Sequence, residues 1–360
     1  MAFNHKDINF DTSLITPNTI LSETEAQQNE SSKYKGLFTV LPANEWIEQA
    51  KNSPIPKMLF GQLWFENELC ILFADTNLGK SILAVQIGSS ISKGEAVNGF
   101  ALEAIKQQVL YFDFELSQKQ FEVRYSEKIN NELVNHYSFD INFMRSEINP
   151  DSDMPFEIDF ETYLNQSLER TVSETGAKIL IIDNLTYLKN GTETAKDALP
   201  LMKHLKMLKS KYNLSILVLA HTPKRDLSKP ITRNDLQGSK MLINFCDSSF
   251  AIGESFSDKH LRYIKQIKQR NCELVYDADN VAVCEIAKPS NFLQFEFVGY
   301  GTEREHLKVL NEKDKEQRIQ DASELRSQGI SNREIARRLG VSEGAVRKWF
   351  KKGCVPNTQI

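Results

Sequence analysis

The sequence has little that would build a disulfide framework or a cysteine metal site. None of its five cysteines forms a C-x-x-C pair with another. Several lie in apolar runs that are typical of buried strands, so we expect reduced thiols and a cytoplasmic location. The five are Cys70, Cys246, Cys272, Cys284 and Cys354.

Long hydrophobic runs are also absent. No apolar run approaches the roughly 20 residues that span a bilayer. The polar start, M-A-F-N-H-K, lacks the apolar core of a signal peptide, so we expect no association with a membrane. The 360 residues are 41% hydrophobic and 26% charged, as in a globular protein with one large and one small domain.

Charge is distributed unevenly along the chain. The formal net charge is −4, yet residues 320–353 hold eight Arg or Lys against four Asp or Glu. That segment therefore carries +4 and the remainder −8. The pattern describes a small basic module attached to an acidic body.

Composition and periodicity divide the chain into four segments. Residues 1–42 are mostly polar and are expected to form a disordered arm. Residues 43–300 form the large domain, 301–319 a charged helical connector, and 320–353 the basic module.

The large domain alternates apolar strands with helices, after a short helix at residues 43–51. This alternation predicts an α/β fold with a mostly parallel sheet covered on both faces. Two later strands, at 261–267 and 281–285, are expected to extend the sheet in antiparallel fashion. The parallel strands are expected at 69–73, 109–114, 179–182, 215–220 and 248–252.

A phosphate-binding loop is the strongest motif in the chain. The segment A-D-T-N-L-G-K-S lies between an apolar strand and an amphipathic helix. Its backbone N–H groups would bind phosphate, Lys80 would reach the β- and γ-phosphates, and the Ser81 hydroxyl would ligate Mg²⁺. The expected nucleotide-binding residues are Ala74, Asp75, Thr76, Asn77, Leu78, Gly79, Lys80, Ser81 and Ile82.

This loop contains few glycines. Ala74 stands where a first glycine is usual, and Gly79 is the only glycine in the loop. Asn77 could supply a left-handed conformation where the loop needs one. On the loop alone, an ordinary strand–turn–helix with an incidental G-K-S is the alternative.

Acidic residues follow two further strands. The run I-L-I-I-D ends at Asp183, whose carboxylate could hold Mg²⁺ through a bound water beside the phosphate loop. The run V-L-Y-F-D-F-E places Glu115 where it could orient and deprotonate the water that attacks in hydrolysis. Alternatively, Glu115 caps a helix that begins near Ser117, and Asp113 competes for the role of base.

A further apolar strand, L-V-L-A-H-T, ends in polar groups. The His221 side chain there could contact the γ-phosphate and respond to its loss. A structural role is equally compatible with a single histidine.

The order of these motifs resembles the RecA-like hexameric ATPases, above all the RepA-type plasmid helicases and the DnaB-type replicative helicases. The matching segments are the phosphate loop, F-D-F-E-L-S, I-L-I-I-D, the strand-terminal H-T and a late I-K-Q-I-K-Q-R-N. The resemblance covers about residues 43–300. It implies a RecA-like P-loop NTPase fold, ATP and Mg²⁺ as ligands, and a homo-hexamer or other homo-oligomer. It makes Lys80, Glu115, Asp183 and His221 catalytic residues.

The resemblance also assigns roles to two basic regions. Lys268 and Arg270 match a late K-x-R that reaches the neighbouring subunit's nucleotide and stabilises phosphoryl charge; a solvated strand edge is the alternative. Residues 223–240 correspond to a channel loop that contacts single-stranded DNA, and their composition predicts a mobile or merely solvated loop. The candidate phosphate contacts are Lys224, Arg225, Lys229, Arg233 and Lys240.

The basic module has the pattern of a helix-turn-helix. Ser331 and Ser342 would cap two short helices joined by L-G-V, with Glu334 closing a capping box. The pattern resembles the resolvase and transposase type, whose second helix enters the major groove. Groove contacts are expected from Glu343, Gly344, Arg347 and Lys348, and phosphate contacts from Arg333, Arg337, Arg338, Lys351 and Lys352. A small protein-interaction bundle is the alternative.

These features together predict a DNA-acting ATPase, a RepA-like helicase or DNA-remodelling motor. An association with plasmids or mobile elements rests on the resemblance alone. The alternative is an ATP-gated DNA-binding regulator or loader without helicase activity. A metabolic P-loop kinase is disfavoured because the chain has no evident acceptor site and carries the basic module.

Overall fold

A computed structural model describes residues 38–153, 155–187, 195–223, 225–236, 239–309, 312–339 and 341–351. The chain divides into two compact units at Ile55 and Pro56. In the first unit the expected helix forms as α1 (Ala43–Lys51), with Trp46 and Ile47 exposed. The expected disordered arm covers residues 1–42, and residues 1–37 of it lie outside the described parts of the chain.

The second unit holds all the strands of the described chain. They are β1 (Met58–Phe60), β2 (Trp64–Phe65), β3 (Leu69–Ala74), β4 (Val109–Asp113), β5 (Glu127–Ile129), β6 (Glu132–Val134), β7 (Phe143–Ser146), β8 (Ile179–Asp183), β9 (Ser215–His221), β10 (Ser248–Glu254), β11 (Leu261–Lys268), β12 (Val281–Ala287) and β13 (Gln294–Gly301). Its helices are α2 (Lys80–Lys93), α3 (Gln118–Arg124), α4 (Phe160–Thr175), α5 (Ala195–Tyr212), α6 (Ser239–Phe245), α7 (Glu303–His306), α8 (Glu312–Ser327), α9 (Asn332–Leu339) and α10 (Glu343–Lys351). No described helix is long and apolar enough to cross a membrane.

Nine strands form one sheet in the order β13-β12-β11-β10-β3-β9-β8-β4-β7. The six strands from β10 to β7 run parallel, and β11, β12 and β13 extend the sheet in antiparallel fashion. The predicted mostly parallel sheet with an antiparallel extension is therefore confirmed.

Helices cover both faces of the sheet because the central strands present apolar residues to both faces. On one face, Cys70 and Leu72 of β3 share a core with Leu83 and Ile87 of α2. On the other face, Leu69, Ile71 and Phe73 share a core with α4 and α5. Both faces of β3 are fully buried, which explains its continuous apolar sequence.

The basic module folds as three helices around a small core of its own. Ala322 of α8, Ile335 and Ala336 of α9, and Val346 of α10 are buried together. The expected boundary between residues 319 and 320 lies inside α8. This helix is part of the three-helix module because it contributes Ala322 to the core.

Candidate functional site

The carboxyl ends of four neighbouring strands meet at one edge of the sheet. Ala74 of β3 pairs with His221 of β9, and Asp183 of β8 pairs with Asp113 of β4. The strand order β3-β9-β8-β4 places the phosphate loop, His221, Asp183 and the residues after Asp113 side by side. Sequence positions more than a hundred residues apart are thereby brought together.

The phosphate loop obtains its backbone turns from two residues. Asn77 has φ 64° and Gly79 has φ 92°, so both adopt the left-handed conformation, as expected for Asn77. Ala74 has no positive φ and is buried at the end of β3. Alanine at this position therefore places no strain on the backbone, and α2 begins directly after Gly79.

Lys80 is held inside the loop by backbone oxygens. Its Nζ donates to the carbonyls of Ala74 (3.1 Å) and Asp75 (3.0 Å). Burial lowers the pKa of Lys80, and the carboxylates of Asp183, Glu115 and Asp75 oppose that shift. The ammonium group lies 3.2 Å from His221 Nδ1.

Asp183 is a buried carboxyl group with one oxygen available for a ligand. The Tyr111 hydroxyl donates to Oδ2 at 2.6 Å, whereas the buried Oδ1 has no partner among the described residues. Burial raises the pKa of Asp183 to about 6, although the hydroxyls of Ser81 and Tyr111 lower it in part. An oxygen-only pair of Ser81 and Asp183 beside an anion-binding loop fits the preferences of Mg²⁺.

Glu115 belongs to a polar cluster at the same edge. It accepts a hydrogen bond from Asn184 Nδ2, and its Oε1 lies 3.6 Å from His221 Nε2. The neighbouring His221 lowers the pKa of Glu115 despite opposition from burial, and the charge of Lys80 lowers it further. A carboxylate beside the phosphate loop could orient a water molecule.

The contacts around Glu115 disfavour both alternatives to its role as the base. Helix α3 is capped by Ser117 and Gln120, so Glu115 does not cap it. Asp113 accepts from the amides of Glu115 and Leu116, at 3.1 and 2.9 Å, and from Arg145 Nε at 2.9 Å. These hydrogen bonds hold the Asp113 carboxylate in the turn after β4.

Lys268 and Arg270 lie away from this edge within the chain. In the sheet register, Lys268 lies opposite Ser249 of β10, and Ser249 lies opposite Ile71 near the start of β3. Lys268 Nζ donates to the carbonyls of Ile243 (2.6 Å) and Cys246 (2.7 Å), and the half-exposed Arg270 pairs with Asp247 at 3.1 Å. Neither cation joins the phosphate loop of its own chain.

The segment after β9 is anchored, which corrects the expectation of a mobile loop at residues 225–236. Ile231 and Leu236 are buried, and the Ile231 amide donates to Glu303 at 2.6 Å. Arg318 of α8 makes two hydrogen bonds to the Asp226 carboxylate, at 3.0 and 3.3 Å. The segment is anchored because its sequence, although mostly polar, contains the apolar residues Ile231 and Leu236, which are buried. Lys224 lies outside the described residues, as does the side chain of Lys240.

The anchored segment leaves its basic side chains in different surroundings. Arg225 donates to the Lys229 carbonyl at 2.9 Å, and Lys229 is mostly exposed beside Asp226. Arg233 lies exposed in a short 3₁₀ turn, Arg233–Asp235. These groups remain candidates for nucleic-acid contact.

The helix-turn-helix exposes the residues expected to face DNA. Arg333, Gly344, Arg347 and Lys348 are exposed, and Glu343 is partly exposed and pairs with Arg347 at 2.6 Å. The Ser331 and Ser342 hydroxyls accept from backbone amides, as expected of caps. The full capping box does not form, because the Glu334 carboxylate binds Arg337 and Arg338 instead. Lys352 and the Lys351 side chain lie outside the described parts.

Two residues of the site were not expected from the sequence. Asn184, directly after Asp183, contacts both Glu115 and His221. Tyr111 binds Asp183 from the adjacent strand. A polar residue directly after the strand-terminal acid is a signal that could have identified Asn184, whereas the Tyr111 contact depends on strand register.

Comparison with known families finds two matches along the chain. A family model described as an AAA domain matches residues 39–226, just over half of the chain. A second model, described as a homeodomain-like domain, matches residues 313–354. No curated protein matches the chain. The first match includes the phosphate loop and the strands that end at Asp183 and His221, and the second spans most of the three-helix module.

Proposed function

The chain belongs to the AAA domain family, and we propose that it is an ATPase that acts on DNA. In this proposal residues 43–300 hydrolyse ATP with Mg²⁺, and residues 320–353 bind duplex DNA through the helix-turn-helix, with 301–319 as connector. Within this class we favour a RepA-like helicase or DNA-remodelling motor that serves plasmid or mobile-element replication or mobilisation.

The observation that carries the ATPase proposal is the convergence at the sheet edge. Lys80, Glu115, Asp183 and His221 come from four neighbouring strands or the loops that follow them. Each offers a different chemical group: a cation, an ionised carboxylate, a metal-binding carboxyl and an imidazole. This set matches the requirements of phosphoryl transfer to water.

Each of these residues has a defined task in hydrolysis. The amides around Asn77 and Gly79 bind the phosphates of ATP, and Lys80 leaves the loop carbonyls to bind the β- and γ-phosphates. Ser81 and Asp183 would hold Mg²⁺, which neutralises phosphate charge when it is bound. Glu115 orients the attacking water and accepts its proton, and His221 contacts the γ-phosphate.

The proposal includes a site shared between subunits of a homo-oligomer. Lys268 and Arg270 lie toward the opposite edge of the sheet from the phosphate loop, so they could serve only a neighbouring subunit's nucleotide. Mixing subunits tests this directly. Arg270→Ala and Glu115→Ala proteins, each inactive alone, should recover part of the ATPase activity when mixed. Absence of any recovery would contradict the shared site.

The ATPase rate, measured with and without DNA, tests the proposed function. We expect Mg²⁺-dependent turnover in the wild type and none in Lys80→Ala. Stimulation by single-stranded DNA together with strand displacement would support the helicase. ATP-dependent DNA binding without displacement would favour the ATP-gated regulator, and absence of Lys80-dependent turnover would contradict the ATPase.

Duplex binding tests the role of the C-terminal module. Arg333→Ala and Lys348→Ala should each weaken duplex binding, and Arg333→Ala, which removes an expected phosphate contact, should also reduce the slope of log K against log salt by about 1. Lys119→Ala, an exposed lysine on α3, is the matched control on the body. Equal binding by all three variants would favour the protein-interaction bundle.

A further inference from the structure

Asn184 joins the two polar residues that face the candidate nucleotide site. Its side chain is buried, at 4% exposure, directly after Asp183 at the end of β8. The Nδ2 atom donates to Glu115 Oε1 and lies 3.2 Å from His221 Nε2. Glu115 and His221 themselves are 3.6 Å apart, too far for a direct hydrogen bond.

The chemistry of the three groups fixes how they are oriented. An ionised carboxylate only accepts hydrogen bonds, so Asn184 must present its amide nitrogen, not its oxygen, to Glu115. That nitrogen carries two hydrogens, and His221 Nε2 lies 3.2 Å from it, within hydrogen-bonding distance of the second. The amide group can therefore hold the carboxylate and the ring at the same time.

Lys80 competes with Asn184 for the same imidazole ring. Its Nζ lies 3.2 Å from Nδ1, on the opposite side of the ring from Asn184. A neutral imidazole has only one accepting nitrogen, so His221 can accept from Lys80 or from Asn184 but not from both. Binding of ATP phosphates would draw Lys80 away and leave the ring to Asn184.

We propose that Asn184 is a positioning residue that links His221 to Glu115 and makes the placement of Glu115 depend on phosphate at Lys80. With phosphate bound, His221 Nε2 accepts from Asn184, and the same amide group holds Glu115 toward the water. Without phosphate, Lys80 competes for the ring and the link weakens. The inference rests on the proposed function, because it assigns Asn184 to hydrolysis at that site.

Kinetics of two Asn184 variants test the inference. Asn184→Ala removes the amide, and Asn184→Asp keeps the shape but cannot donate to Glu115. We expect kcat to fall about 10- to 100-fold in both variants. KM and the binding of a fluorescent, non-hydrolysed ATP analogue with Mg²⁺ should stay within about threefold of the wild type. Loss of analogue binding together with kcat would overturn the positioning role in favour of a structural one.

Gln107→Ala is the matched control. Gln107 also donates a side-chain amide to a carboxylate, Glu66, at 2.8 Å, but it lies before β4 at the amino edge of the sheet. This variant should keep wild-type kcat. If it lost activity to the same extent as the Asn184 variants, loss of an amide–carboxylate bond anywhere in the fold would explain the result and the inference would fail.

A double-mutant cycle separates linkage from independent effects. If Asn184 acts through His221, the double variant Asn184→Ala, His221→Ala should turn over no more slowly than the slower single variant. If the kcat losses of the two single variants multiplied in the double variant, the linkage between Asn184 and His221 would be overturned. Wild-type kcat in both Asn184 variants would overturn this inference while leaving the ATPase proposal intact. Absence of Lys80-dependent turnover in the wild type would overturn both.

Discussion

Asp183, the proposed metal-binding residue, destabilises the folded state when it is ionised. Its carboxyl group is almost fully buried, and burial raises its pKa to about 6 from an ordinary 3.8. Between these values the folded protein binds more protons than the unfolded chain does. Stability of the ligand-free protein therefore falls as the pH rises through this window, and the loss is complete above about pH 6.

Replacing this carboxyl group by an amide should separate stability from activity. At pH 7, Asp183→Asn should raise the free energy of unfolding of the ligand-free protein by about 2–3 kcal/mol, while ATP turnover is lost. The gain should shrink as the pH is lowered toward 4. Urea unfolding of both proteins at several pH values measures it. A variant less stable than the wild type at pH 7 would contradict the claim that the ionised Asp183 carboxylate destabilises the folded protein.

At the scale of the element, the phosphate loop depends on two left-handed residues. Glycine adopts this conformation freely, and asparagine tolerates it better than most residues. A Cβ at Gly79 would also lie 2.8 Å from side-chain atoms of Ile286 and Phe295, so a side chain at this position would force both neighbours to shift in addition to straining the backbone. Asn77 is the position where the requirement can be tested by substitution.

Two substitutions at Asn77 should affect nucleotide binding to different extents. Asn77→Gly keeps the left-handed conformation accessible, so nucleotide binding should stay within about threefold of the wild type. Asn77→Val forces a β-branched residue to positive φ, at a cost of about 1–2 kcal/mol, and binding should weaken at least fivefold. Titration with a fluorescent ATP analogue measures both. Equal binding by both variants would contradict this account of the loop.

The central strands could be predicted because their sequences are continuously apolar and both faces are buried. The strand β7, the hairpin β5–β6 and the edge strand β13 were not predicted. They are short or half exposed, so their apolar pattern is weak.

The positions of Glu115, Asp183 and His221 could be anticipated since each follows an apolar strand. The contacts of Asn184 and Tyr111 depend on strand order and side-chain direction, which a local pattern does not specify.

At the scale of the whole second unit, the ion pair between Arg318 and Asp226 joins the segment after β9 to the C-terminal helices. Burial alone would raise the pKa of Asp226, but hydrogen bonds from Arg318 and Ser228 outweigh it and lower the pKa to about 2. The stabilisation is therefore complete above the ordinary pKa of 3.8 and is lost as the pH falls toward 2. At neutral pH the pair is fully charged.

Breaking this pair should loosen the attachment of α8. Asp226→Asn removes a charge-assisted contact of roughly 1–1.5 kcal/mol, so trypsin should cleave the connector about five- to tenfold faster. Exchanging the charges, with Asp226→Arg and Arg318→Asp together, should restore part of the protection. Lys229→Ala is the control, because Lys229 is mostly exposed and lies 3.6 Å from Asp226. Unchanged cleavage in Asp226→Asn would contradict the anchoring role.

The most direct test of the central claim is single-turnover hydrolysis of ATP with Mg²⁺ by the wild type and by Glu115→Gln. This substitution keeps the size of the side chain and removes the charge that we propose orients and deprotonates water. We predict that Glu115→Gln binds ATP as the wild type does and hydrolyses it at least 100-fold more slowly. Equal hydrolysis rates in the two proteins would contradict an ATPase site built on Glu115.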